Sequence, residues 1–158
     1  MSVEMISVNP PITEDELLRL LDESSVSFPK DYLDFVRRHN GCRPEPNVFT
    51  LDESSQFSVT EFYPVDRVIS ERSKLQGRLP KDAWPIAYTE SGNLVLLSLE
   101  SEWMVHVWDH EVEECERAAS TFTDFLSMLS PFSADDVELA PGQVVSAWID
   151  PEFLRSLK

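Results

Sequence analysis

Three short apolar runs, at residues 84–88, 94–99 and 104–108, stand close together in the middle of the chain. Ser91-Gly92-Asn93 separates the first from the second, and Glu100-Ser101-Glu102 separates the second from the third. Runs of this length, rich in Val, Leu and aromatic residues and bounded by turn formers, predict strands. Gly92 and Asn93 tolerate the positive φ that a tight reversal needs. The simplest arrangement is a three-stranded antiparallel meander. In its middle strand Leu94, Leu96 and Ser98 share one face, and Val95, Leu97 and Leu99 share the other. A strand apolar on both faces belongs in the interior of a sheet, covered on each side.

Helical periodicity flanks the meander. Thr13 followed by Glu16 has the form of a capping box, and Leu17, Leu18, Leu20 and Leu21 supply an apolar stripe, so a helix is predicted over residues 14–23. Pro29 suits the first turn of a second helix, with Phe28, Tyr32, Leu33, Phe35 and Val36 on one side. Arg37, Arg38 and His39 complement the dipole of its last turn, and Asn40-Gly41 ends it. Asp66 is placed to cap a short helix reaching residue 75. Ser120 is placed to cap another, which carries Phe122, Phe125, Leu126 and Leu129 at helical spacing before Pro131.

The rest fills in around these elements. Residues 48–51 and 57–63 are further strand candidates, while Pro44 and Pro46 mark a loop. Residues 1–12 are expected to be a lead-in, and residues 111–117 an acid-rich connection. Toward the end, residues 144–149 suggest a strand, and Asp150-Pro151 opens a short helix. Helices first and last with strands between predict an α+β protein. The expectation is one domain over residues 13–132, a mixed and mainly antiparallel sheet with helices packed against it. Residues 133–158 are expected to be an extension packing on that domain. The predicted core comprises Phe35, Leu96, Leu97, Leu99, Val105, Val107, Phe122, Phe125 and Leu126, with Trp84 and Trp108.

Charge changes the picture. Among 158 residues, 29 are acidic and 13 basic, a formal net charge of −16. Such a balance argues against nucleic acid and anionic membranes as partners, and favours fast association with a basic protein. No apolar run approaches the roughly 18 residues that a membrane helix needs. Met1-Ser2-Val3-Glu4 lacks the basic-then-apolar pattern of a signal peptide. A cytoplasmic location is expected, with Cys42 and Cys115 as reduced thiols.

Four stretches carry a resemblance. Phe28-Pro29-Lys30-Asp31-Tyr32 leads to Asn40-Gly41; Trp84-Pro85-Ile86-Ala87 leads to Ser91-Gly92-Asn93; Val105-His106-Val107-Trp108-Asp109-His110-Glu111 follows; and Ser120-Thr121-Phe122 leads to Phe125-Leu126. In this order they resemble the motifs of the SUKH superfamily, which includes a fungal cell-wall-synthesis regulator. Phe28 stands where the family usually has Leu, and the glycine doublets common in the family are single glycines here. The resemblance implies a small mixed sheet with packed helices and no catalytic activity. It also implies an immunity protein that binds and blocks a polymorphic bacterial toxin, often a nuclease; a minority of the family are signalling scaffolds.

Candidate chemistry is sparse. Asp109-His110-Glu111 contains acid–base side chains, but neighbours at a strand end point to different places, so a turn is the expected role. Cys42, Cys115, His39 and His110 lack the close spacing of a zinc site. No phosphate loop, dinucleotide fingerprint or nucleophile elbow is present. No enzyme, metal or other cofactor is therefore expected.

The acids are the informative feature. Glu100, Glu102, Asp109, Glu111, Glu113, Glu114 and Glu116 surround the meander and its exit. Charge runs are ordinarily solvated surface, yet like charges so concentrated repel, and a basic partner would offset that. These acids are the expected partner-binding residues. Trp103, set among them, is counted with them as the expected interface anchor, a core role after a bend being the alternative. The function expected is neutralisation of a cognate basic toxin; the alternative is a non-catalytic interaction scaffold or regulator.

Overall fold

Each apolar run of the meander is a strand in the computed structural model, which describes residues 3–52 and 55–131. Strands β1 (Glu4–Ser7), β2 (Cys42–Glu45), β3 (Val48–Thr50), β4 (Gln56–Phe62), β5 (Ala83–Thr89), β6 (Leu94–Ser98), β7 (Met104–Asp109) and β8 (Glu114–Ala119) form one sheet. Its order is β1-β2-β4-β5-β6-β7-β8, with β3 paired to β4 outside that path, and every ladder is antiparallel. Four helices complete the α+β fold: α1 (Glu14–Ser24), α2 (Lys30–Arg38), α3 (Val65–Lys74) and α4 (Phe122–Met128). The extension expected at residues 133–158, with its strand and helix, lies outside the described residues.

The middle strand of the meander explains the layering. All five residues of β6 are buried. Val95 and Leu97 join the larger core with Val105 and Val107, beneath Leu17 of α1, Tyr32, Phe35 and Val36 of α2, Val65 and Val68 of α3, and Phe122 and Phe125 of α4. Leu94 and Leu96 point the opposite way, with Ala83 and Trp108, and are covered by Leu75 and Leu79 from the segment after α3. A strand with apolar cover on both faces needs no alternation, which is why its sequence shows none.

Two local devices fix the helices. Thr13 Oγ1 accepts the N–H of Glu16 at 3.2 Å, an N-cap for α1. Asp31 in the first turn of α2 accepts both the backbone N–H of Thr123 (2.9 Å) and its hydroxyl (3.0 Å), tying α2 to the start of α4. Between these helices Phe122 meets Tyr32 and Phe35 edge-on, with ring centroids 5.2 Å and 4.9 Å apart. Such pairs contribute about 0.5–1.5 kcal/mol each beyond their area. The first and fourth family-like stretches are thus two halves of one joint.

Several expectations are corrected. Residues 4–7, expected in a lead-in, and residues 42–45, expected in a loop, pair as β1 and β2. Pro44 is tolerated because β2 ladders to β4 only through Cys42–Phe62, so the strand has an unpaired side past that point. The acid-rich connection is largely β8, an edge strand whose first four residues are exposed and therefore show no apolar alternation. Thr121, not Ser120, caps α4, accepting the N–H of Asp124 at 3.0 Å. Pro64 precedes α3, and Asp66 sits within its first turn instead of capping it. Leu99 leaves the strand in a short 3-10 turn and is 50% exposed, while Leu126 is half-buried. The other predicted core residues, including Trp84 and Trp108, are buried.

Candidate partner-binding site

The β7–β8 hairpin follows from one register. Val107 faces Glu116 and Asp109 faces Glu114, while Trp108 faces Cys115 and His106 faces Arg117. Directly opposed residues share a face. Glu114 and Glu116 therefore lie on the helix-covered side with Val107, and Cys115 and Arg117 lie on the other. At the turn, Asp109 Oδ1 accepts the N–H groups of Glu111 (2.8 Å) and Val112 (3.4 Å), and Glu113 takes a left-handed φ of 56°.

A clip holds this turn against the preceding hairpin. Asn93 Oδ1 meets His110 Nδ1 at 2.7 Å and accepts the backbone N–H of His110 at 3.3 Å. The His110 ring lies over Gly92, 3.4 Å from where a Cβ would sit, and Gly92 itself has φ +86°. Glycine at 92 thus serves both the reversal and the ring above it. The Ser-Gly-Asn and Asp-His-Glu stretches are partners in architecture. Asp109 and His110 are each committed to a turn contact, as expected for a turn, and no acid–base pair is formed between them.

Beside the turn lies a groove of about 330 Å³ lined by Phe57, Asn93, Val107, Asp109, Val112, Glu114, Cys115 and Glu116. Phe57 and Val107 give it an apolar wall, and Val112 is 61% exposed at its mouth. Carboxylates form the rim. Among the described residues Glu100, Glu102, Asp109, Glu111, Glu114 and Glu116 take part in no ion pair. Glu113 is the exception, meeting Arg78 at 2.7 Å.

The cations of α3 are engaged within the chain. The Arg67 guanidinium lies 4.3 Å from the centre of the Tyr63 ring, and that of Arg72 lies 3.8 Å from the Trp84 ring. Lys74 pairs with Glu71 at 3.1 Å. On the hairpin itself, Arg117 donates to the Ser120 hydroxyl. Among the described residues the rim acids Asp109, Glu114 and Glu116 have no ion-pair partner.

The predicted partner-binding residues divide in space. Asp109, Glu114 and Glu116 share the groove, and Glu111 and Glu113 flank it at the turn. Glu100 and Glu102 sit at the opposite end of β7, about 20 Å away at strand rise. Glu100 instead borders a smaller cavity of about 170 Å³ with Ser98, His106 and Cys115. Trp103 has a φ of 64° and is half-buried, its ring 5.6 Å from Phe28, so it packs on the core side of its bend. Sequence reasoning missed Phe57 and Val112. Val112 was visible as the lone Val in an acidic run; Phe57 becomes a neighbour only through long-range pairing.

Other chemistry is modest. Burial pushes the Cys42 thiol up to about 12, helped by the Glu61 carboxylate, and raises Cys115 as well. Both cysteines are free thiols. Burial also lowers His39 and His106, with Arg38 and Arg117 respectively adding to the effect. Among the described residues no group of three His, Cys, Asp or Glu side chains could hold a metal ion, and no helix is long and apolar enough to cross a membrane.

Compared with known proteins, the chain matches the family model described as SMI1 / KNR4 family (SUKH-1) over residues 11–128. No curated protein matches it. The match takes in α1 through α4 and both hairpins of the clip.

Proposed function

Because the chain belongs to the SMI1 / KNR4 family (SUKH-1), we propose that it is a non-catalytic immunity protein that neutralises a basic toxin domain. The observation that carries this reading is the groove beside the β7–β8 turn, with an apolar wall and a carboxylate rim at Asp109, Glu114 and Glu116 that forms no ion pair among the described residues. A toxin that cuts nucleic acid needs a basic groove to hold phosphates. A protein of net charge −16 meets such a surface with complementary charge. Val112 and the apolar wall supply the desolvated centre that a stable contact needs inside a charged rim. The protein acts by occupying the toxin's active-site groove and needs no catalytic residue of its own.

The test is co-purification with the product of the neighbouring gene, followed by assay of that product's activity. Stoichiometric complex formation with loss of activity is expected. Binding to a neutral or acidic partner, with no inhibition of any basic one, replaces this reading with that of an interaction scaffold.

A further inference from the structure

Among the described residues strand β8 ends the sheet, with no strand paired to its outer side. A strand with one neighbour leaves alternate backbone N–H and C=O groups pointing outward, ready to pair with another chain. Residues 114–117 are exposed, and only Ala119 at the far end is buried, where α4 packs. β8 contains no proline and no lysine, two common ways of blocking an edge. Its own side chains instead present Glu114 and Glu116 on the groove side, spaced two residues apart.

We propose that β8 is a strand-addition site that takes an extended basic segment of a partner as a ninth strand, with Lys or Arg at alternate positions opposite Glu114 and Glu116. The proposal rests on the reading of the acidic groove as the partner surface and adds how that surface is engaged. Backbone pairing supplies contact without regard to sequence, and the alternate positions supply the charge preference. Cross-strand neighbours stand about 5 Å apart, within ion-pair reach of long basic side chains. A second copy of the chain is a poorer occupant, since it brings the same acids and a net charge of −16. The other end of the sheet, β1, carries Glu4 and an exposed Ile6 in place of two alternating acids, and suits a basic strand less well.

The experiment uses the full chain, isotope-labelled, with two synthetic decapeptides alternating Lys and Val. One is unmodified; the other is N-methylated at every second residue, which keeps the charge and removes donors from one edge. The unmodified peptide is expected to slow exchange of the outward-facing amides among residues 114–117, every second one, at least tenfold. The methylated peptide is expected to bind at least tenfold more weakly without that protection. The Glu114→Lys, Glu116→Lys double variant is expected to prefer a peptide alternating Glu and Val. Equal binding of both peptides at the hairpin without amide protection overturns strand addition while leaving the acidic-surface reading intact. Binding of both away from the hairpin, or of neither, overturns strand addition as well; the acidic-surface reading then stands or falls on the cognate complex. Concentration-dependent protection of the same amides in the protein alone names a second copy as occupant and also overturns it.

Discussion

The two ends of strand β7 are built on opposite terms. At its start Val105 is buried with Ala119 under Phe122 and Phe125, inside a joint where Asp31 of α2 binds Thr123 of α4. At its finish Asp109 opens a turn followed by carboxylates, most of which form no ion pair among the described residues. The first end commits its groups to partners within the chain. The second holds like charges together, an arrangement that opposes folding slightly and favours a basic partner. The difference teaches that the family-like stretches are architecture: the α2–α4 joint and the Asn93–His110 clip position a surface whose exposed acids, Glu114 and Glu116, are not needed to hold the fold.

The sharpest way to break that contrast is to damage each end separately. Phe125→Ala should cost about 3–5 kcal/mol, because Phe125 is fully buried and packs against Phe49 and Phe62. Urea unfolding measures it; an unchanged midpoint would contradict the core assignment. Asp31→Ala should cost less, about 1–3 kcal/mol, for loss of a charged acceptor serving two donors of Thr123. By contrast, Glu114→Lys with Glu116→Lys should move stability by no more than about 0.5 kcal/mol, since both residues are exposed and neither forms an ion pair among the described residues. A loss as large as that of Phe125→Ala would show that the rim is structural after all.

The smallest effect is chemical. In the native protein a thiol reagent should label exposed Cys115 and leave buried Cys42 untouched until unfolding. Raising the pH speeds labelling of Cys115 as its thiolate fraction grows. Cys42, pushed up to about 12 by burial, stays protonated through the same range. Native-state labelling of Cys42 at the rate of Cys115 would contradict the packing of β2.

How much of this was legible in the sequence depends on what each residue buries. The meander and the helical stripes were legible because Leu96, Val105, Phe122 and Phe125 carry periodic signals that burial enforces. β1 and β8 were not, because an edge strand buries little, and β2 was not because its four residues include Pro44, which reads as a loop. Glu114-Cys115-Glu116-Arg117 looks the same in an edge strand as in a loop, and only the register against β7 makes it a strand. The cap of α4 was misplaced by one residue because Ser120 and Thr121 are both good caps, and contact with Asp31 favours Thr121-Phe122-Thr123 in place. The acids were visible as a list. Their division between two ends of β7 was not, since it depends on which residues oppose one another across strands. Trp103 illustrates the same limit: its bend turns the ring toward Phe28.

The measurement that bears most directly on the central claim is association kinetics with the neighbouring gene's product at low and high salt. For the parent protein, association should be fast at low salt and fall steeply as salt rises. Glu114→Lys with Glu116→Lys should slow it by about tenfold or more at low salt and flatten its salt dependence, while Val112→Ala should mainly speed dissociation. Association that is insensitive to salt and unchanged by the charge reversals would contradict the account.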